Sequence, residues 1–223
     1  MARMAQAAGA RFHCDAAQGF GKIPARIGEE LGDAAFVSIS AHKIHGPKGI
    51  GALVAAPGVP LAPLFDGGLQ ERARSGTQSP GLAAGFGAAV ALAGERMAAD
   101  AAHARLLGER ALAILGTAGI AFEVNGPAPG GPDRIPTNLN LRFAGVAATR
   151  LIAALPDLLL TSGSACASAS GKPSHVLAAL GLSADARAQS LRIGWGRTTT
   201  LDELERGITS LAAEVSRRQR AAA

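Results

Sequence analysis

Disulfide chemistry is the first thing this chain lacks: two cysteines in 223 residues, Cys14 and Cys166, make no disulfide framework. No signal peptide is recognisable and no hydrophobic run is long enough to span a bilayer, so a cytoplasmic setting without a membrane partner is expected. Such a setting keeps a reactive thiol reduced. Charged residues make up only 17% of the chain against 48% hydrophobic, which excludes a disordered protein and allows a sizeable core. Tyrosine is absent while alanine and glycine abound, a bias that reflects a GC-rich coding sequence more than a function. The net charge of +5 is scattered. Its one cluster, Arg217-Arg218-Gln219-Arg220, closes a helical pattern, where the helix dipole favours cations, so nucleic acid is not an expected direct partner. No internal repeat is present and no metal site is expected. Gly46-Pro47-Lys48-Gly49-Ile50-Gly51 has the spacing of neither the P-loop nor the dinucleotide fingerprint, and reads as a hairpin turn.

What is present reads as α/β. Residues 1–9 resemble the last turns of a helix stopped at Gly9, and residues 10–15 a strand tipped by Asp15. Helix then strand at the very start looks like a βαβ unit entered midway. Strands follow at 35–39 and 51–55. Ser79-Pro80 opens a helix, with proline at its first position, that runs to about Ala102 and continues as a second helical stretch from Arg105 to Leu115. The remainder is α+β. Asn138 to Phe143 alternates as a half-buried strand, 149–155 is a short helix, and 158–161 a short buried strand. Residues 173–180 form a helix, residues 190–195 a strand, and Thr200 to Glu203 a capping box that opens the last helix. Two domains are expected, at 1–100 and 101–223.

Four positions carry candidate chemistry. Lys43 lies just past a buried strand in Ser40-Ala41-His42-Lys43, where low dielectric can make an amine nucleophilic; the alternative is a surface lysine in a hairpin turn. Asp15 also ends a strand, at the edge where parallel sheets bind ligands, and suits a cofactor whose ring nitrogen must stay protonated. Cys166 sits in Thr-Ser-Gly-Ser-Ala-Cys-Ala-Ser-Ala-Ser-Gly, a small and polar stretch that suits an accessible thiol better than core filler, the role left to Cys14. Arg192 interrupts an apolar strand and needs an anion, either a ligand carboxylate or an internal acid.

Together these segments resemble the cysteine desulfurases, pyridoxal-phosphate enzymes of the class V aminotransferase group. Phe12-His13-Cys14-Asp15-Ala16-Ala17-Gln18 is similar to their cofactor-ring segment, and Ser40 to Gly49 to their Schiff-base segment. Arg72-Ala73-Arg74-Ser75-Gly76-Thr77 resembles the loop lent to a partner subunit, Ser162 to Cys166 the persulfide loop, and Ser190 to Gly194 the carboxylate-binding strand. The resemblance implies the C-terminal part of a fold-type-I large domain plus a smaller α+β domain, acting as a homodimer on L-cysteine. Lys43 is implied to hold pyridoxal 5'-phosphate as an aldimine and to move the substrate's α-proton. Asp15 is implied to meet the pyridinium nitrogen and Gln18 the ring hydroxyl; Ser40 and His42 would meet the phosphate, as would Thr77 across the dimer interface. Arg192 is implied to bind the substrate carboxylate. Cys166 is implied to take the sulfur as a persulfide and release alanine, then to serve a sulfur acceptor or an iron–sulfur scaffold, or tRNA thiolation.

The family's large domain begins earlier than this chain. Its glycine–threonine phosphate turn, its ring-stacking histidine and an asparagine near the ring hydroxyl have no counterpart here. A truncated desulfurase with weak or no activity alone, and with exposed sheet edges, is therefore expected. Two rivals remain: a related lyase, racemase or aminotransferase-like enzyme on the same scaffold, and a non-catalytic remnant that binds a desulfurase or a sulfur acceptor.

Overall fold

The computed structural model describes residues 1–68, 70, 74–163 and 174–222. They divide into two compact units, Met1–Ala98 and Ala99–Ala223. The division falls inside one long helix.

In the first unit, helix α1 (Ala2–Ala7) ends at Gly9, whose φ of 68° is the left-handed conformation that stops a helix. Strand β1 (His13–Asp15) is shorter than its sequence pattern and runs parallel to β2 (Phe36–Ser40), with Asp15 opposite Ser38. Strand β3 (Gly51–Ala55) returns antiparallel to β2, with Ser40 opposite Gly51, so β2 is central in the order β1-β2-β3. Ala16, Ala34 and Val37 are buried beneath this sheet beside Phe12, Cys14 and Leu31, which leaves Cys14 in the filler role. By contrast β3 is exposed along its whole length, including Leu53 and Val54.

Helix α2 (Pro80–Thr117) is one continuous element of 38 residues rather than two stretches. Nothing between Ala102 and Arg105 breaks it, because alanine, leucine and arginine all favour the helix. Against expectation, α2 is also long and apolar enough, by length and composition alone, to cross a membrane. Glu95 and Arg96 interrupt its sequence, yet the alanine-rich flanks keep the stretch apolar on average. In the first unit its Phe86, Ala89 and Ala93 pack on Ala41 and Ile44.

The second unit is built on an antiparallel sheet, β4 (Phe122–Val124), β5 (Asn138–Phe143) and β6 (Ser190–Gly194), in that order. Leu139, Leu141 and Phe143 point from β5 into a core shared with Leu107, Ala111 and Leu115 of α2. The last helix contributes Leu204, Leu211 and Val215 to the same core. Burying each such Leu side chain is worth roughly 1.5–3 kcal/mol, which makes this core the main stabilising element of the unit. Trp195 is tied into it by its indole N–H, which donates to Ala104 O at 2.9 Å and Pro136 O at 3.0 Å. Short helices α3 (Ala148–Ala154), α4 (His175–Ala179) and α5 (Ala184–Ala188) lie between the strands in sequence. The final helix α6 (Leu201–Ala222) opens with the expected capping box: Glu203 N donates to Thr200 Oγ1 at 3.2 Å and Thr200 N to Glu203 Oε2 at 2.8 Å.

The sequence reading missed β4 and α5. Segment 158–161 is not a buried strand: Leu159 is fully exposed, and Thr161 alone bridges to Arg192. Its backbone meets β6 at one residue only, too little to extend the sheet.

Candidate active site

In the first unit the chemistry gathers at the C-terminal ends of the parallel pair β1 and β2. Asp15 ends β1, and its Oδ1 accepts a hydrogen bond from Ala17 N at 3.0 Å, which turns the chain sharply off the strand. Gln18 lies in that turn. Ser40 ends β2 and leads into a one-turn 3-10 helix (Ala41–Ile44) that carries His42 and Lys43. Ser40 Oγ and His42 Nδ1 share a hydrogen bond of 2.9 Å, so a hydroxyl and an imidazole are held together. His45, in the left-handed conformation at φ 66°, ends the turn. At Gly46 a Cβ would lie 2.9 Å from Ala41 O and 3.0 Å from Ala89 Cβ, so only glycine lets the chain double back under α2.

Lys43 is half-buried in this turn. A second amine lies within its field: Lys22 Nζ donates to Gln18 Oε1 at 3.3 Å. Burial first, and then the positive charge of Lys43, pull the Lys22 amine below its ordinary value. The sequence reading overlooked Lys22, although its position four residues after Gln18 was a usable signal. Asp15, Gln18, Ser40, His42 and Lys43 thus share one edge of the sheet. Thr77 does not join them; it is exposed in the segment before α2, and among the described residues no hydrogen bond ties it to the group. A carboxylate, an amide, a hydroxyl with an imidazole, and an amine form a donor set that fits pyridoxal phosphate, which offers a ring nitrogen, a ring hydroxyl, a phosphate and an aldehyde.

The second unit carries the remaining candidate residues. Arg192 sits mid-strand in β6, directly opposite Asn140 of β5. Its backbone N donates to Thr161 O at 2.6 Å. Its side chain lines a cavity of about 360 Å³ together with Asn138, Asn140, Arg134, Asp133 and Gly163. Of the two anions open to Arg192, an internal acid is not found: among the described residues no carboxylate forms an ion pair with it, Asp133 included. Gly163 borders this cavity, and the segment that carries Cys166 lies outside the described residues.

A family model described as Aminotransferase class-V matches residues 1–206. Among curated proteins, "Cysteine desulfurase IscS" of Rickettsia typhi (strain ATCC VR-144 / Wilmington) is 43% identical over 209 residues, 92% of this chain and 50% of that protein. The chain therefore spans about half the length of the curated relatives it matches. A solved NifS-like protein from Rickettsia africae ESF-5 superposes with a TM-score of 0.80 at 28% identity, covering 97% of this chain and 56% of that one. A structure titled "SspA in complex with cysteine" gives a TM-score of 0.63 at 30% identity over 89% of this chain and 54% of that one.

Proposed function

Since the chain belongs to the class-V aminotransferase family, matched over residues 1–206, we propose that it carries the lysine and the thiol of a cysteine desulfurase. The observation that carries this reading is the group at the ends of β1 and β2, where Asp15, Gln18, Ser40, His42 and Lys43 supply one partner for each polar feature of pyridoxal phosphate. When bound, pyridoxal phosphate supplies the electron sink that makes a proton at the substrate's Cα removable. Asp15 keeps the ring nitrogen protonated, Gln18 meets the ring hydroxyl, and Ser40 with His42 receives the phosphate. Lys43 Nζ holds the aldehyde end and moves the proton at Cα. Thr77 reaches the phosphate of a second subunit, which makes the working form a homodimer.

L-Cysteine is the proposed substrate, supported by the desulfurase relatives and by the structural neighbour titled as a complex with cysteine. Arg192 binds its carboxylate. Cys166, as a thiolate, attacks the substrate sulfur; the S–S bond that forms leaves a persulfide on Cys166 and the C–S bond breaks to give alanine. The persulfide then serves an acceptor in iron–sulfur assembly or tRNA thiolation, in a cytoplasmic setting.

The test loads the purified chain with pyridoxal phosphate and follows its visible absorbance, then alanine and sulfide release from L-cysteine. Lys43→Ala is expected to lose the lysine-linked absorbance. The chain alone is expected to release alanine weakly or not at all; Cys166→Ser is expected to keep the absorbance and to lose any such release. Full alanine release by Cys166→Ser would replace the desulfurase reading with a lyase or aminotransferase one. Absorbance unaffected by Lys43→Ala would remove the catalytic reading altogether.

A further inference from the structure

Among the described residues only two buried side chains are polar, Asn125 and Ser190, and both belong to the second unit. A buried polar group is costly unless every donor and acceptor is used, so two of them joined in one chain call for a reason. Ser190 Oγ donates to Ala186 O at 2.7 Å, which commits its only proton. It can then only accept, and it accepts from Asn125 Nδ2 at 2.9 Å. Asn125 Nδ2 also donates to Asn140 Oδ1 at 2.6 Å, while Asn125 N donates to Asn140 O at 2.9 Å.

This accounting gives the network a direction. One hydroxyl proton fixes the orientation of two amides, and the second of them, Asn140, must present its oxygen inward. Its Nδ2 has no acceptor among the described residues. Asn140 lines the same cavity as Arg192 and faces it across the β5–β6 pair. Arg134, also on the wall, has Nη1 committed to Asn125 O at 3.0 Å and to Pro127 O. Arg134 Nε is buried without a partner among the described residues, outside the strand pair. On the β5–β6 pair itself two donor groups without acceptors among the described residues, the Arg192 guanidinium and Asn140 Nδ2, stand side by side, one charged and one neutral.

From this arrangement we infer that Asn140 is a second donor to the substrate carboxylate beside Arg192, with Asn125 and Ser190 as positioning residues that hold its N–H₂ toward the cavity. The inference rests on the carboxylate role proposed for Arg192. It adds a specificity element: a ligand with a neutral carbonyl in place of the carboxylate gains less from Asn140, because a hydrogen bond to a charged group is the stronger one.

The test uses the full chain loaded with pyridoxal phosphate and two probes, L-alanine and L-alaninamide, which differ in the carboxylate. Binding is read from cofactor absorbance, and from the side-chain amide resonance of Asn140, identified by its loss in Asn140→Ala. L-Alanine is expected to shift that resonance more than L-alaninamide does. Asn140→Ala is expected to weaken L-alanine about 10- to 100-fold, the range for a hydrogen bond to a charged group, and L-alaninamide by no more than about 2- to 10-fold, the range for a neutral one, so that the preference for L-alanine narrows. Asn125→Asp turns the donor at that position into an acceptor, so Asn140 reverses and L-alanine weakens similarly. Unchanged Trp195 fluorescence checks that the unit still folds. If Arg192→Ala abolishes the preference for L-alanine while Asn140→Ala does not narrow it, the inference fails and the proposed function stands. If neither variant alters the preference, or the unsubstituted chain shows none, the role of Arg192 fails with it.

Discussion

Replacing Gly21 by alanine tests whether the turn that carries Lys43 is held by close packing from the segment following Gln18. Gly21 has φ 72°, and an added Cβ would lie 2.8 Å from Ile44 Cγ2 and 3.0 Å from Ala93 Cβ. Gly9 supplies the control: its φ is 68°, with nothing within 4 Å of its added Cβ. Gly9→Ala therefore carries the left-handed backbone term alone, about 1–2 kcal/mol. Gly21→Ala carries the same term plus overpacking of about 1–3 kcal/mol, for a total of roughly 2–5 kcal/mol. The sole tryptophan, Trp195, lies in the other unit and tyrosine is absent, so intrinsic fluorescence does not report on this one. Hydrogen exchange of the β2 amides does, because the central strand opens with its unit. At tenfold per 1.4 kcal/mol, exchange should quicken about 5- to 30-fold in Gly9→Ala and about 30- to several-thousand-fold in Gly21→Ala. Ile44 adjoins Lys43, so only Gly21→Ala should also diminish the lysine-linked cofactor absorbance. Equal exchange in the two variants would refute the packing argument.

Lys22 makes a pH prediction. Its folded pKa lies below 10.5, so between the two values the unfolded chain binds more protons and stability rises with pH. Lys22→Met should lessen that rise, seen as a smaller increase in the denaturation midpoint as pH approaches 10.5. At the other extreme, the hydrogen bond from Arg217, with a further one from Arg218, holds the Glu214 carboxyl at about 2 against an ordinary 4.5. That contribution is complete above 4.5 and is lost as pH falls through about 2, so Glu214→Gln should lessen the acid loss of helicity measured by circular dichroism.

What the sequence discloses and what it hides divide along a physical line. The placement of Asp15 and Ser40 at strand ends, and of His42 and Lys43 in the turn just past β2, was legible because a few neighbouring residues fix that context. The capping box at Thr200 and Glu203 was legible for the same reason. The Asn125, Asn140 and Ser190 network was not. Its members lie 15 and 65 residues apart, and only the strand register brings them together. Asn140 sits on the half-buried face of an alternating strand, so its pattern reported the strand without the amide's purpose. Segment 158–161 failed in the opposite sense: an apolar run promised a strand, but Leu159 found no core to enter. The unity of α2 was hidden because alanine gives little periodic contrast between faces, and helix continuity had to come from propensity.

The same alanine and glycine bias that reads as a property of the coding sequence has a use in the fold. The 3-10 turn bearing Lys43 must lie close against α2 if Ala41 and Ile44 are to be buried. Ala89 and Ala93 on the helix, and Gly21 and Gly46 on the chain opposite, are small enough to permit that approach. A larger residue at either glycine meets the helix before the turn can close. Close packing lets a short turn hold a lysine at a fixed place without a long side-chain network, since a dense interior leaves its members few alternative rotamers. The two units thus orient their polar groups by different means. One confines Lys43 by the closeness of small residues, and the other directs Asn140 by a buried chain of hydrogen bonds. A substitution that adds volume should therefore disturb the first, and one that exchanges a donor for an acceptor should disturb the second.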